Sequence, residues 1–297
     1  VKLEAGRLMR KWEGMMKRVF THFEENDLKE FEPEAKVGII ATVNPEGLPH
    51  ITLITSLQAK SVDRLIWGQF CEGLSKQHVK TDPKTGFLIM TMDRSLWRGK
   101  ARWTHQTQHG EDYDMLNLKP MFRYNAYTGI HTVHYMDLVE TYGRENLPLV
   151  RITCASILTR IAKSVSLTGR PERILNPWTE KLFNRLDTVK VLSYVGSDGF
   201  PALIPLIPCQ ASDSRRLAFS PVAYSSELKA LEKGMHIAIF GLTLDMEDVL
   251  VRGVFTGYDK FRGITLGCAD IDWVYNSMPP KQGRIYPQEG MKPVTSF

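Results

Sequence analysis

Apolar residues along the 297-residue chain come in short runs, each broken within a few residues by a turn signal. Val37–Val43 leads into Asn44-Pro-Glu-Gly47, and Val189–Val195 leads into Gly196-Ser-Asp-Gly199. In both, the closing glycine suits the positive φ of a hairpin loop. Further strand-like runs are Leu65–Phe70, Phe87–Met92, Lys100–His105 and His131–Val139, then Leu217–Pro221, Met235–Leu242, Val249–Tyr258 and Ala269–Tyr275. Short strands with turns between them, and no regular alternation with helices, predict barrels rather than a doubly wound sheet. Helical spacing appears in Leu8, Trp12, Met15, Met16, Val19, Phe20 and Phe23, which predicts an amphipathic N-terminal helix packed across a barrel. Val150–Val165 and Thr179–Leu186 predict connecting helices, interrupted around Gly169, Pro171 and Pro177.

The pattern occurs twice. At an offset of 152 residues, Val37 meets Val189, Val43 meets Val195, Gly47 meets Gly199 and Pro49 meets Pro201. Arg64-Leu65 then falls on Arg216-Leu217 and Trp67 on Phe219, and two short deletions bring Ser75 over Ser225 and Gly86 over Gly234. The shared positions are turn glycines and strand residues in one order, as a tandem repeat requires. The expected organisation is an N-terminal helix over 1–35, a first barrel over 36–149, a helical connector over 150–187 and a second barrel over 188–297. The fold class is mainly β with flanking helices.

Composition narrows the function classes. Hydrophobic residues make up 43% and charged residues 24%, which excludes a disordered or fibrous chain. No apolar run is long enough to span a bilayer and no basic-then-apolar leader is legible. The formal net charge of +5 is spread along the chain, which suits a small anionic ligand better than nucleic acid. Cys71, Cys154, Cys209 and Cys268 form no paired framework, so the expectation is a reduced, cytoplasmic protein without nucleic-acid or membrane partners.

Several familiar sites are absent: no GxGxxG, no P-loop, no GxSxG and no HExxH. His105 and His109 lack a common helical face, and His131 and His134 point to opposite sides of one strand, so no metal site is expected. The informative stretch is Leu65-Ile-Trp-Gly-Gln-Phe-Cys-Glu-Gly-Leu-Ser75-Lys76, where a strand ends and a serine followed by lysine opens a helix. A serine cap, free N–H groups and an ammonium make an anion site. Taken alone, the same residues also describe an ordinary capped surface helix.

The order strand, hairpin, Gly-Leu-Pro-His50, strand, then Trp67-Gly68, Ser75-Lys76, Asp82-Pro83 and another strand resembles the FMN-binding split β-barrels related to pyridoxamine 5'-phosphate oxidase. The resemblance covers roughly residues 36–140 and, more faintly, roughly 188–280. It implies two tandem split barrels forming a pseudo-dimer within one chain, in a protein that binds FMN as cofactor. The flavin ring would lie along His50, Ile51, Thr52, Leu53, Ile54 and Thr55. Trp67, Gly68 and Gln69 would approach the ribityl chain, and Ser75 and Lys76 would hold the phosphate. Serine stands where the family has a basic residue, so one charge is missing, with Arg64 or Lys80 as replacements. Trp97 either covers the ring or closes the barrel core, and Trp273 and Tyr275 share one strand face that forms either a cofactor wall or core. The tail Lys281-Gln-Gly-Arg284 is a further candidate at the interface between copies.

The second copy carries Ser226 where the first has Lys76, and it adds Glu227, which repels a phosphate. It is expected to be a degenerate partner. The implied function is an FMN-dependent oxidoreductase acting on a small-molecule substrate or redox partner, with no assigned catalytic residue beyond His50 as the nearest titratable candidate. The insertion from His109 to Ile130, with Tyr113, Phe122, Tyr124 and Tyr127, is the expected specificity lid. Alternatives are a non-catalytic flavin or electron-transfer protein, a haem-binding split barrel and a deazaflavin-binding one. A homodimer of such chains is also compatible with the pattern.

Overall fold

In the computed structural model, residues 18–123, 129–276 and 283–287 are described. The first half forms β1 (Lys36–Val43), β2 (Pro49–Leu53), β3 (Gln58–Ser61), β4 (Arg64–Gln69), β5 (Lys84–Thr91), β6 (Ser95–Thr107), β7 (Thr132–Thr141) and β8 (Glu145–Asn146). The second half forms β9 (Val189–Val195), β10 (Pro201–Pro205), β11 (Gln210–Ala211), β12 (Arg216–Phe219), β13 (His236–Leu242), β14 (Asp248–Phe261), β15 (Ile264–Asn276) and β16 (Gly283–Tyr286). The first sheet runs β2-β1-β5-β6-β7-β4-β3 and the second runs β10-β9-β13-β14-β15-β12-β11, the same order, with every neighbour antiparallel.

Register repeats as well as order. Gly38 faces Ile89 across β1 and β5, and Lys190 faces Gly241 across β9 and β13, each second-half residue lying 152 positions on. Both hairpin loops close alike, with the N–H of Gly47 on the carbonyl of Asn44 and that of Gly199 on Gly196, both at 2.9 Å. The two glycines have φ of 77° and 79°, a region that penalises any side chain with a Cβ. The mainly β, twice-repeated architecture expected from the strand pattern is therefore the one observed.

The central strands are apolar at nearly every position because both their faces are covered. Ile40, Phe87 and Ile89 point into the first barrel with Trp67 and Trp97. Their neighbours Ile39, Ala41 and Leu88 point the other way, onto Val191, Ala238, Phe240 and Leu250 of the second half. Leu192 and Ile239 turn back into the second barrel's own core. Period-2 alternation thus assigns one face of each strand to its barrel and the other to a shared seam. Each buried side chain of this kind contributes about 1.5–3 kcal/mol relative to exposure, so the seam is a core in its own right. Contacts across it are reciprocal, β2 packing on β9 and β13 while β10 packs on β1 and β5, which is the pattern of a two-fold pseudo-dimer.

Flanking helices follow local signals. Pro177–Asn184 starts at Asn176, whose side chain accepts the N–H of Thr179, with Pro177 in the first turn. Leu149–Ala162 lies on the second half, where Gln210 donates to the Ser156 carbonyl and the Ser220 N–H to Thr159 Oγ1. Of the expected N-terminal helix, Leu8, Trp12, Met15 and Met16 lie outside the described residues; Phe20 instead pairs with Thr141 in an isolated bridge, and Phe23 is buried against Phe31 and Phe87. No helix among the described residues is long and apolar enough to cross a membrane.

Candidate functional site

The sequence-predicted residues meet where β2 passes the helix Leu74–Thr81. Thr52 on the strand and Ser75 on the helix join hydroxyl to hydroxyl, both buried. Ser75 is not the helix cap that the sequence suggested. The helix begins at Leu74 with Gly73 in the cap position, and no side chain caps its first turn, because the serine hydroxyl is spent on the strand. Lys76 is 7% exposed, and its Nζ folds back to lie 3.2 Å from where a Cβ on Gly73 would stand. Among the described residues the ammonium has no hydrogen-bond or salt-bridge partner, and burial lowers its pKa. A cation held at the positive end of its own helix is in an unfavourable field unless an anion joins it.

His50, on the same strand, is 1% exposed, and neither ring nitrogen has a partner. Burial, then the nearby His78, Arg252 and Lys76, hold its pKa well below the usual histidine value, so the ring is neutral. Its ring stands edge-on to His78 at 5.1 Å between centroids and to Tyr275 at 5.5 Å. His78 is tied to Thr42 at 3.1 Å and is pushed down to about 4, mainly by burial. Orphaned imidazole nitrogens inside a protein cost about 1–3 kcal/mol each when nothing hydrogen-bonds them, a cost that a bound polar group removes.

These histidines open on a cleft of about 580 Å³ between the two halves of the chain. One wall is the first-half hairpin Asn44–Glu46 with Leu74, Gln77 and His78; the other is Arg252, Trp273 and Tyr275 from the second half. Trp273 and Tyr275 stack on each other at 5.3 Å, 7° from parallel, which makes them a cofactor-sized aromatic wall. The Arg252 guanidinium lies 3.9 Å over the Trp273 ring, and its buried Nε has no partner. Sequence reasoning missed Arg252. A cation inside the apolar run Val249–Tyr258 was the signal that could have marked it.

The repeat supplies a second cleft, of about 500 Å³, built from the matching positions. Its hairpin Gly196–Asp198 corresponds to Asn44–Glu46, Ala202 stands in the place of His50, and Lys100 in the place of Arg252. Here the charges cancel. Lys100 binds Glu140 at 2.9 Å and Asp198 at 2.8 Å, and Glu140 occupies the register position that Trp273 holds in the first cleft. Beside it Arg98, 1% exposed, reaches from the first half to Glu227 at 2.6 Å, to Glu145 at 2.9 Å and to the Leu203 carbonyl at 2.8 Å. Glu227 thus faces an arginine of the same chain, at the turn where the first half carries Lys76 and Gln77.

The other candidates separate by face. Ile51 belongs to the seam, Ile54 to the first barrel's interior, and Leu53 and Thr55 are half-buried, Thr55 beside Met121. Gly68 exchanges hydrogen bonds with Ser56 and lies under Ile130. Gln69 accepts from His134 Nε2 at 2.8 Å through Oε1 and donates through Nε2 to Glu72. Trp67 is fully buried, stacked on His134 at 3.8 Å, so only its backbone is on offer to a ligand. Trp97 is a core residue: it is fully buried, edge-on to Phe31, and away from the cleft.

Neither suggested replacement charge joins Lys76, since Arg64 binds Asp137 and Lys80, one turn further along the same helix face, is exposed. The insertion expected as a lid meets the predicted cofactor residues through Met121, beside Thr55, and Ile130, over Gly68. Leu116, Phe122 and Ile130 pack on Ile66, Val133 and Tyr135, the outer face of β4 and β7, rather than covering the cleft. Tyr124, Tyr127 and Lys281 lie outside the described residues. No group of three or more histidine, cysteine, aspartate or glutamate side chains is gathered for a metal among the described residues.

No family model and no curated protein matches the chain. Among solved structures, it is similar to a putative pyridoxamine 5'-phosphate oxidase from Lactobacillus delbrueckii, with 14% identity and a TM-score of 0.33, over 41% of this chain and 94% of that one. It is also similar to an FMN-binding protein from Syntrophomonas wolfei, at 16% identity and a TM-score of 0.32, over 48% of this chain and 95% of that one. An F420 reductase matches at 15% identity and a TM-score of 0.32, over 39% and 94% of the two chains. Each of these neighbours is spanned almost fully by less than half of this chain.

Proposed function

We propose that this protein is an FMN-binding flavoprotein with one cofactor per chain, held by the first half and walled by the second, and that it works as an oxidoreductase. The observation that carries the reading is Lys76, a residue only 7% exposed whose ammonium has no partner among the described residues, in the first turn of a helix that no side chain caps, a position that asks for an anion. A phosphate there gains the ammonium and the N–H groups of Leu74 and Ser75, since that of Lys76 is on the Gly73 carbonyl at 3.2 Å, with the Thr52–Ser75 hydroxyl pair alongside. The residues fit the rest of the cofactor as well. His50 brings unpartnered ring nitrogens to a flat ligand, and Trp273 and Tyr275 bring aromatic area.

When bound, FMN would supply the electron acceptor, at flavin N5. This chain's residues bind, orient and exclude water. His50, kept neutral by burial, offers one N–H and one acceptor nitrogen, and is a positioning group rather than an acid. The fully buried seam of Ile39, Ala41, Phe240 and Leu250 closes the inner side of the interface to solvent.

Comparison of FMN with riboflavin, which lacks only the phosphate, tests the reading. FMN should bind at least tenfold more tightly by equilibrium dialysis, and Lys76→Gln should remove most of that difference while leaving riboflavin binding in place. Equal affinity for the two flavins in the unsubstituted protein, or no binding of either, would sink it.

A further inference from the structure

Two clefts of one construction differ in a way that a bound group explains. In the second, Lys100 is neutralised by Glu140 and Asp198. At the matching positions of the first, Arg252 has no salt bridge among the described residues. Its guanidinium rests on Trp273, whose counterpart is the carboxylate of Glu140. Glu46 and Asp272 influence Arg252 only from beyond ion-pair distance. His50 replaces Ala202, setting two unpartnered ring nitrogens, themselves buried, behind the wall of that space. A half-buried guanidinium on an aromatic face, beside a neutral imidazole, is suited to an oxyanion, onto whose oxygens the guanidinium forks, while Trp273 and Tyr275 stay with the flavin.

We infer that the cleft bounded by Arg252, His50, His78 and Trp273 is an oxyanion-binding subsite for a phosphate- or carboxylate-bearing small molecule, separate from the Lys76 seat. Lys76 does not line this cleft; it folds the other way, over Gly73 and toward Cys71 and Glu72. The inference rests on the proposed flavin site only in making this second anion the substrate's rather than the cofactor's. The matching cleft takes no anion, because Glu140 and Asp198 already hold its cation, Lys100.

Calorimetric titration with pyrophosphate and with benzoate, on the protein before and after FMN loading, provides the test. At least one of the two anions should bind once per chain, in the loaded protein as in the free one. Arg252→Gln should weaken that binding at least tenfold and change FMN affinity less than threefold, and Lys100→Gln, the same change in the mate cleft, should leave anion binding unaltered. Failure of both anions to bind the free protein overturns the subsite, as does a loss in Lys100→Gln equal to that in Arg252→Gln. If Arg252→Gln abolishes FMN binding while Lys76→Gln spares it, the cofactor's own phosphate occupies the cleft, and the separate subsite is overturned. If FMN fails to bind at all while pyrophosphate binds and depends on Arg252, the flavin reading falls and the oxyanion subsite stands.

Discussion

At the scale of single residues, the site is defined by groups whose needs the fold leaves unmet, and such needs are invisible in a sequence. Ser75, Lys76 and His50 are legible as residue types, but that Lys76 curls over Gly73, or that both nitrogens of His50 are orphaned, depends on packing from β2 and the second half. Trp97 shows the same limit from the other side: its surroundings in sequence suit a ring cover, and its burial on Phe31 makes it core. His134 gives a sharper consequence. Its Nδ1 accepts from Trp103 Nε1 at 3.1 Å, which leaves the Nε2 proton to face Gln69 Oε1 at 2.8 Å, and burial pushes its pKa down to about 3. A second proton on Nδ1 would confront the Trp103 N–H. Because the folded pKa lies below the unfolded value of about 6.5, the unfolded chain takes up protons that the folded one refuses. This contribution to stability is complete above about pH 6.5 and is lost progressively as pH falls toward about 3. Urea titrations should show His134→Gln losing about 1–2 kcal/mol less than the unsubstituted protein between pH 7 and pH 5, with identical losses contradicting the assignment. Near the proposed flavin seat, Gly73→Ala should lower FMN affinity several-fold without changing the urea midpoint, since the added methyl meets the far end of Lys76.

At the scale of elements, strands were legible where alternation or a hairpin glycine marked them, and less so at their ends. β6 and β14 extend well past the apolar runs that predicted them, to Thr107 and Phe261, because antiparallel neighbours continue to pair them after the hydrophobic signal stops. The helix Pro177–Asn184 begins where its asparagine and proline say, whereas Leu74–Thr81 begins before its serine because Thr52 claims the hydroxyl. The insertion from His109 was read as a lid from its position alone. Its buried residues in fact follow β4 and β7, whose outer faces carry Ile66, Val133 and Tyr135 and need cover. One close approach fixes how the two sheets cross: a Cβ on Gly86 of β5 would stand 2.3 Å from the Pro201 carbonyl of β10. Gly86→Ala should therefore force the seam apart and cost about 1–3 kcal/mol in urea unfolding; an unchanged midpoint would mean that the sheets slide freely.

At the scale of the whole molecule, one half leaves Lys76 and Arg252 without a salt bridge among the described residues and the other pairs Lys100 and Arg98 with the chain's own carboxylates. The offset of 152 residues carried this architecture in the sequence, and Glu227 already argued against a phosphate in the second copy. What could not be read was the partner: Arg98 belongs to the other half, 129 positions away. Taking Arg98 out should leave Glu227 and Glu145 facing each other at the seam, so Arg98→Ala should destabilise the chain by about 3–5 kcal/mol. Arg98→Leu combined with Glu227→Gln should regain part of that loss, because leucine is what the matching position, Leu250, carries; no recovery would mean that the arginine acts through packing alone. The central claim is that a pseudo-symmetric chain binds FMN once, in its first half. Titration of FMN into the full chain, followed by flavin absorbance after removal of free ligand, measures that number directly. One flavin per chain, lost in Lys76→Gln and retained in Lys100→Gln, is the expected result; two flavins per chain, or a colourless protein, would contradict it.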